Sequence, residues 1–208
     1  MYKRQVQDFS ANDFNFLEIF CNSTDNVLFI GDFYQHTYDS STDGMVKKNL
    51  YKCSDKYIKE LKKFGLSIDV TTLQKSYRCS SSVCKFIEKK LGIDIKSHNE
   101  KDSEIRLVEN EKEIDNIMKN GEIVKLFFQK HYEYGSFSNN WGNSKGCDCY
   151  NDVCVILNNT TTKFFPCELK SLSPNNKSKL YVAITRAKNN VYFVKESQIK
   201  KYKSNNKK

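Results

Sequence analysis

Two arginines and a glutamine occupy positions from which a folded chain could gather them around an anion. Arg186 closes the apolar stretch KLYVAITRAK (179–188), and Arg78 lies in SYRCS (76–80), just before a serine-rich helix start. Gln35 follows a Gly-Asp pair at the end of an apolar run. Guanidinium groups make paired hydrogen bonds to phosphate oxygens, and a carboxamide can hold a water molecule or a phosphate oxygen. These residue types suit phosphate chemistry.

Each of these residues also has an ordinary structural explanation. Arg186 ends a predicted helix, where the helix dipole favours a cation. Arg78 stands near a helix start, where a cation is unfavourable unless it is solvated or an anion binds nearby. Asp32 can cap the turn after Gly31 or face a metal-bound phosphate. Taken singly, none of these positions decides between a site and a well-solvated surface.

The elements that must position these residues alternate along the chain. Apolar periodicity and capping residues predict helices at 11–20, 55–64, 81–91, 111–119 and 174–188. Short apolar runs predict strands at 27–31, 66–73, 105–108, 122–128, 152–157 and 190–194. The alternation indicates an α/β fold with a largely parallel sheet covered on both faces. Ligands in such folds bind beyond the carboxyl ends of the strands, so the polar residues that follow each strand are the candidates.

The composition narrows the class of protein. The chain has 208 residues, 38% of them hydrophobic, and a formal net charge of +9, which favours a polyanionic partner. Its eight cysteines form no C-x-x-C pair and its three histidines are far apart, so reduced thiols in a cytoplasmic protein are expected. Zinc stays a minor alternative. With no signal peptide and no apolar run near 18 residues, no membrane partner is expected.

Four motifs in order resemble the later motifs of superfamily 1 helicases of the UvrD/Rep type. They are G-D-x-x-Q-x-x-Y (31–38), S-Y-R-C-S (76–80), S-K-G-x-D (144–148) and Y-V-A-I-T-R-A-K (181–188), and the resemblance runs from residue 6 to 195. It implies RecA-like parallel sheets flanked by helices, as in P-loop NTPase-type helicase cores. The implied organisation is a remnant of the first RecA-like domain (1–95), the second RecA-like domain (96–199) and a disordered basic tail (200–208).

The resemblance also implies roles for individual residues. Arg78 and Arg186 would reach the γ-phosphate and Gln35 would sense it, which makes these three the catalytic candidates. The implied nucleotide-binding residues are Gln7, Asp8, Asp32, Lys145, Gly146 and Asp148. The implied DNA-binding residues are His36, Tyr38 and Trp141, and no metal ligand is assigned.

Departures from the family pattern limit these expectations. No G-x-x-x-x-G-K-[ST] phosphate loop is present, and Arg4 and Gln5 stand where a magnesium-binding Asp and a catalytic Glu belong. Asn140, Gly142 and Cys147 replace the usual residues of the S-K-G region.

We therefore expect the C-terminal part of a helicase or translocase that uses ATP and Mg²⁺ and moves on single-stranded DNA. It would do so only together with an N-terminal half that carries the phosphate loop, and alone it should bind neither cofactor and hydrolyse no ATP. The alternatives are a non-catalytic RecA-like module that binds nucleic acid or a partner, and an α/β domain whose motifs are accidental.

Overall fold

The structure is a computed structural model that describes residues 5–9, 13–24, 26–37, 47, 50–135 and 137–205. It divides into two compact units, Met1–Thr72 and Leu73–Lys208. The boundary between family domains predicted near residue 95 stays a prediction, because compactness alone does not define a family domain.

The first unit is built from two helices and short 3₁₀ turns. Helix α1 spans Asp13–Ser23 and helix α2 spans Ser54–Lys63, with 3₁₀ turns at Val6–Asp8, Phe33–Gln35 and Leu50–Lys52. Their core contains Phe14, Leu17, Leu50, Tyr57 and Leu61. Aromatic rings meet edge-on in this core, as where the Phe14 and Tyr57 centroids lie 5.9 Å apart.

The two strands predicted in this unit, 27–31 and 66–73, are wrong. Neither segment pairs with a strand in the described part of the first unit, and Leu28 there is 84% exposed. An apolar run becomes a strand only where a neighbouring backbone completes the ladder. In the second segment, the Asp69 carboxylate accepts hydrogen bonds from the Thr71 and Thr72 amides, which makes a local turn instead.

The second unit contains a short parallel pair and a five-stranded parallel sheet. Strand β1 (Lys75–Ser76) pairs with β2 (Lys96–Ser97). The larger sheet comprises β3 (Ile105–Leu107), β4 (Val124–Phe127), β5 (Ser138–Asn140), β6 (Val153–Leu157) and β7 (Val191–Lys195). Its strand order is β3-β7-β6-β4-β5, and every neighbouring pair is parallel. The predicted α/β fold with parallel strands is confirmed.

Helices flank this sheet. They are α3 (Ser81–Phe86), which continues as a π-helical turn over Ile87–Leu91, α4 (Glu111–Lys119), α5 (Asn159–Phe164), α6 (Pro174–Ile184) and α7 (Glu196–Asn205). One core cluster gathers side chains from α4, α7 and the sheet: Val108, Ile114, Ile117, Ile123, Phe127, Cys154, Ile156, Val194 and Ile199. Every residue of β4 and β6 is buried, and the continuous apolar composition of β6 fits a strand buried on both faces; Lys125 is the polar exception in β4.

Helix α7 corrects the expectation of a disordered tail from residue 200 as far as Asn205. Ile199 is fully buried, and Lys203 forms an ion pair with Glu133 at 2.9 Å. Burial of Ile199 and the ion pair of Lys203 hold this polar segment against the rest of the unit. Residues 206–208 lie outside the described part.

No helix in the described ranges is long and apolar enough to cross a membrane. The expected cytoplasmic location stays a prediction.

Candidate functional site

Arg78 joins two distant segments of the second unit. Its Nε–H donates to Asp148 Oδ1 at 2.6 Å, and its Nη1 donates to the Thr185 carbonyl at 3.2 Å. Arg78 lies two residues after the end of β1, and its backbone amide donates to the Ser76 hydroxyl at 3.3 Å. The arginine of S-Y-R-C-S thus contacts both the S-K-G-x-D loop and the end of the T-R-A-K helix.

Arg186 meets the same two segments from inside. It is 2% exposed, and its Nη1 donates to the Cys147 carbonyl at 3.2 Å. Its Nε donates to the Val182 carbonyl at 3.1 Å, and its Nη2 donates to the Thr185 hydroxyl at 3.3 Å. In these three hydrogen bonds the acceptors are carbonyl and hydroxyl oxygens, and none of them is a carboxylate. The guanidinium is therefore fixed in place but not neutralised by an ion pair through these contacts.

The charges of the site act on one another. The hydrogen bond from Arg78, followed by its positive charge, holds the pKa of the Asp148 carboxyl below its usual value. Burial lowers the pKa of Arg186, and the nearby charge of Arg78 lowers it further. Arg78 pairs directly with Asp148, whose side chain is 65% exposed, and the charges of Lys188 and Arg186 also act on this carboxylate, so cations outnumber anions in this group. This imbalance favours a second anion at the outer side of the group.

The site lies at the amino-terminal edge of the sheet. Asp148 precedes β6 and Arg186 precedes β7, and these strands are parallel neighbours. The Lys188 amide donates to the Asn151 carbonyl at 3.1 Å, and this bond joins the segment before β7 to the segment before β6. The expectation that site residues follow strands holds for Arg78, which comes after β1, but not for Asp148 and Arg186, which lie in the segments that lead into β6 and β7.

A compact turn carries Lys145 and Gly146 toward Asp148. Gly146 has φ +85°, which favours glycine, and the Cys147 amide donates to the Ser144 carbonyl at 3.0 Å. Ser144 is fully buried and its hydroxyl donates to the Trp141 carbonyl at 2.7 Å. The S-K-G stretch is therefore held by local hydrogen bonds.

Trp141 does not fit the DNA-binding role implied by the sequence. It is 0% exposed, and its indole Nε1–H donates to the Leu126 carbonyl at 2.9 Å. Phe128 packs edge-on against it, with ring centroids 5.4 Å apart. An indole with no accessible face cannot stack on a base, so Trp141 is a core residue in this structure.

In the first unit, a second cluster joins two of the motifs. The Asp32 carboxylate accepts from the Tyr34 amide and from Gln35 Nε2, each at 3.0 Å. The Asp32 amide donates to Gln7 Oε1 at 3.0 Å, and His36 Nδ1 lies 2.8 Å from the Gln7 carbonyl. Since a carbonyl can only accept, the His36 proton resides on Nδ1. Four residues predicted from sequence thus form one hydrogen-bonded group.

The remaining site residues of the first unit are only partly accounted for. Asp8 lies in the 3₁₀ turn Val6–Asp8, and His36 stacks on Tyr51 with ring centroids 3.7 Å apart. Tyr38 and Arg4 lie outside the described residues. The roles of all these positions in nucleotide or nucleic-acid binding stay predictions. Within the described ranges no group of three or more His, Cys, Asp and Glu could hold a metal ion.

Two residues of the site escaped the sequence reasoning. Tyr77 is 72% exposed beside Arg78, and its ring lies 4.2 Å from that of His98. Cys79 is buried and its thiol donates to the Thr185 carbonyl at 3.7 Å, the same oxygen that Arg78 contacts. Their adjacency to Arg78 in S-Y-R-C-S was the available signal.

The second unit is therefore a parallel α/β unit with Arg78 and Arg186 near the edge of its sheet. A family model described as the viral superfamily 1 RNA helicase core domain matches residues 17–195. The chain belongs to this family. The superfamily 1 resemblance is thereby confirmed, whereas the UvrD/Rep DNA helicase type is corrected to the viral RNA helicase type.

Two solved structures of a PRRSV helicase match parts of the chain. One, "Crystal structure of PRRSV nsp10 (helicase)", is 18% identical and covers 58% of this chain and 23% of its own, with a TM-score of 0.37. The other, "The structure of PRRSV helicase", is 17% identical, and the match covers 81% of this chain and 29% of the helicase chain, with a TM-score of 0.47. The chain thus spans less than a third of either helicase. No curated protein sequence matches it.

Proposed function

We propose that this chain is the arginine-bearing, C-terminal part of an ATP-driven helicase or translocase that moves on single-stranded nucleic acid. The observation that carries the proposal is the convergence of Arg78 and Arg186 on the 147–148 segment and Thr185. Their segments are far apart in sequence, and the Arg78–Asp148 ion pair by itself does not require a second, buried guanidinium bound to the adjacent Cys147 carbonyl.

The proposed chemistry is stabilisation of charge on a transferring phosphoryl group. Arg186 is fixed by three hydrogen bonds, so little reorganisation is needed to present its charge. Arg78 is partly exposed and can exchange the Asp148 carboxylate for a phosphate oxygen, which leaves Asp148 for the ribose hydroxyls. An arginine in this role contributes a rate factor of roughly 10³–10⁵.

ATP and Mg²⁺ are proposed as cofactors of the complete assembly only. The 208 residues contain no phosphate loop, and a polypeptide segment that carries one is proposed to supply the cradle for the β- and γ-phosphates. Gln35, held by Asp32, is the proposed sensor of the γ-phosphate in the first unit.

RNA is the proposed single-stranded substrate, because the matching family is described by RNA helicases. The net charge of +9 favours binding to a polyanion, whether single-stranded RNA or single-stranded DNA. Single-stranded DNA, expected from the UvrD/Rep resemblance, is the competing substrate. Fluorescence anisotropy with RNA and DNA oligonucleotides of one sequence, at two salt concentrations, would separate them.

An ATPase assay tests the proposal. The chain alone is expected to release no phosphate, and turnover should arise when a helicase first domain with an intact phosphate loop is fused ahead of residue 6. Arg186→Ala should then reduce turnover by roughly 10³-fold or more. Arg106→Ala, at a partly exposed arginine of the second unit that pairs with Glu104 and Glu113, should leave turnover unchanged. Turnover by the chain alone, or turnover indifferent to Arg186→Ala, would overturn the proposal.

A non-catalytic nucleic-acid-binding module is the second candidate. It is favoured by the missing phosphate loop together with the basic charge. Salt-sensitive binding of single strands combined with an inactive fusion would favour this candidate over the first.

A further inference from the structure

Two buried thiols lie directly behind Arg78. Cys79 and Cys84 are 1% and 3% exposed. Ser80 caps helix α3, accepting from the Val83 amide at 3.2 Å, so Cys79 and Cys84 occupy the positions just before the cap and in the first turn. Side chains at these two positions pack on one another at helix starts, and the two thiols are near enough to shift each other's pKa.

The position of Cys79 is coupled to that of Arg78. The Ser76 hydroxyl holds the Cys79 amide at 3.0 Å, and the Ser97 hydroxyl donates to the Cys79 carbonyl at 2.7 Å. The Cys79 thiol and Arg78 Nη1 both donate to the Thr185 carbonyl. A change in the bonding of the Cys79 sulfur therefore affects the Thr185 carbonyl oxygen, which also accepts the hydrogen bond that orients Arg78.

The two thiols differ in reactivity. The hydrogen bond from Cys84 lowers the pKa of the Cys79 thiol, and the charges of Arg78 and Arg186 act in the same direction. The pKa of Cys84 is raised by the same hydrogen bond. Cys154 has neither neighbour, and burial alone raises its pKa. Since the thiolate is the nucleophile, Cys79 is the attacking sulfur and Cys84 the resolving one.

We propose that Cys79 and Cys84 are a redox modification site, at which hydrogen peroxide forms a disulfide that loosens Arg78 from Asp148. The Cys79 thiolate attacks one peroxide oxygen, the O–O bond breaks, and the departing hydroxide takes a proton to become water. The Cys84 sulfur then attacks the sulfenic acid and displaces a second hydroxide, which leaves as water with the Cys84 proton. Overall, two thiols and one peroxide give one disulfide and two waters, and a dithiol reductant reverses the change.

The disulfide would act on Arg78 for two physical reasons. It removes the S–H donor from the Thr185 carbonyl, and it draws the two sulfurs to bonding distance, about 2 Å. Both changes shift the backbone next to Arg78. Peroxide reaches the buried pair during local opening of the short helix start. The loss of ATP turnover expected after oxidation rests on the proposed function. The disulfide and the release of Arg78 from Asp148 do not depend on it.

The test treats the full chain with peroxide and maps its disulfides by mass spectrometry. The expected product has lost the mass of two hydrogen atoms, carries a 79–84 link, and regains its thiols with dithiothreitol. Cys84→Ser should stop at a sulfenic acid on Cys79 that dimedone traps, whereas Cys167→Ser, at an exposed site, should form the link normally. A second measurement, hydrogen exchange of the Arg78 Nε–H by nitrogen NMR, should quicken about ten-fold or more on oxidation.

Two outcomes would overturn the proposal. One is that Cys79 and Cys84 keep free thiols at peroxide levels that oxidise the exposed Cys149 and Cys167. The other is that the link forms while the Arg78 Nε–H exchanges as before. Both readouts are independent of ATP, so an inactive fusion protein would count against the proposed function without touching this result.

Discussion

Arg78 and Asp148 are 70 residues apart in the chain, and their Nε and Oδ1 atoms lie 2.6 Å apart. This ion pair joins the segment before α3 to the loop before β6. It also accounts for the arginine near a helix start, because the carboxylate is the anion that such a position needs. In the proposed reaction, the same pair holds Arg78 ready until a phosphate competes for it.

The Arg78–Asp148 pair predicts a shifted acid titration. Arg78 holds the Asp148 pKa below its unfolded value, so the contribution to stability is present above about pH 3.9 and is lost as pH falls through the folded pKa. Because Asp148 is largely exposed, the contribution should be below about 1 kcal/mol. Arg78→Ala should raise the Asp148 pKa, measured by carboxyl carbon NMR, and Arg78→Lys should raise it less. An unchanged titration in Arg78→Ala would contradict the pair.

Arg186→Ala is expected to destabilise the second unit by about 2–4 kcal/mol, because it empties buried volume and removes three hydrogen bonds. The Cys147 carbonyl loses its Arg186 donor, and the Val182 carbonyl keeps the bond from the Thr185 hydroxyl. Hydrogen exchange of the β6 and β7 amides reports this unit separately. Arg106→Ala, at a side chain that is 35% exposed, should cost less than about 1 kcal/mol. Equal effects of the two substitutions would show that burial of Arg186 contributes nothing.

Gly31→Ala should disrupt the hydrogen-bonded group of the first unit. A β-carbon there would lie 2.3 Å from Gln7 Oε1 and 2.6 Å from Val6 Cγ1, and Gln7 is fully buried. Relief of this overlap is expected to cost about 1–3 kcal/mol. Faster hydrogen exchange at the Asp32 amide is the readout. Gly121→Ala is the control, since nothing lies within 4 Å of a β-carbon at Gly121. Unaltered protection of Asp32 would show that the close approach is absent in solution.

Trp141 offers an internal probe, because it is the single tryptophan of the chain. Its burial and its bond to Leu126 predict blue-shifted fluorescence that acrylamide quenches poorly. Saturating single-stranded RNA should leave this emission almost unchanged. Strong quenching of the Trp141 fluorescence by RNA would indicate that Trp141 stacks on bases, against its burial in the structure. Trp141→Phe should destabilise the second unit by about 1–3 kcal/mol, since it removes the indole hydrogen bond to the Leu126 carbonyl and leaves part of a buried site empty.

Elements with strong local signals were predictable. Helix α4 was placed at its observed bounds because Asn110 caps it, accepting from the Lys112 and Glu113 amides. The apolar runs of β4, β6 and β7 were also recognised. Strand β5 was not, because Ser138–Asn140 is polar and becomes a strand only through its pairing with β4. Helix α5 was missed for a related reason: its threonine-rich sequence has low helix propensity.

The motif residues divide in the same way. Arg78, Asp148 and Arg186 were chosen from their order and residue types, and the structure brings all three together. Trp141 was chosen as an aromatic in a loop, and its burial was not readable from neighbours in sequence. Whether a side chain is accessible depends on packing between segments that local spacing does not describe.

The sequence by itself determined the order of the motifs, the superfamily and the parallel α/β class, because these depend on residue types and short-range periodicity. The tertiary structure alone decided that Arg186 is buried and Arg78 paired, that both lie at the amino-terminal edge of the sheet, and that Cys79 shares the Thr185 carbonyl with Arg78. Those contacts join residues that are about 40 to 107 positions apart. Only the pairing order of the strands brings such residues together, and no local pattern encodes it.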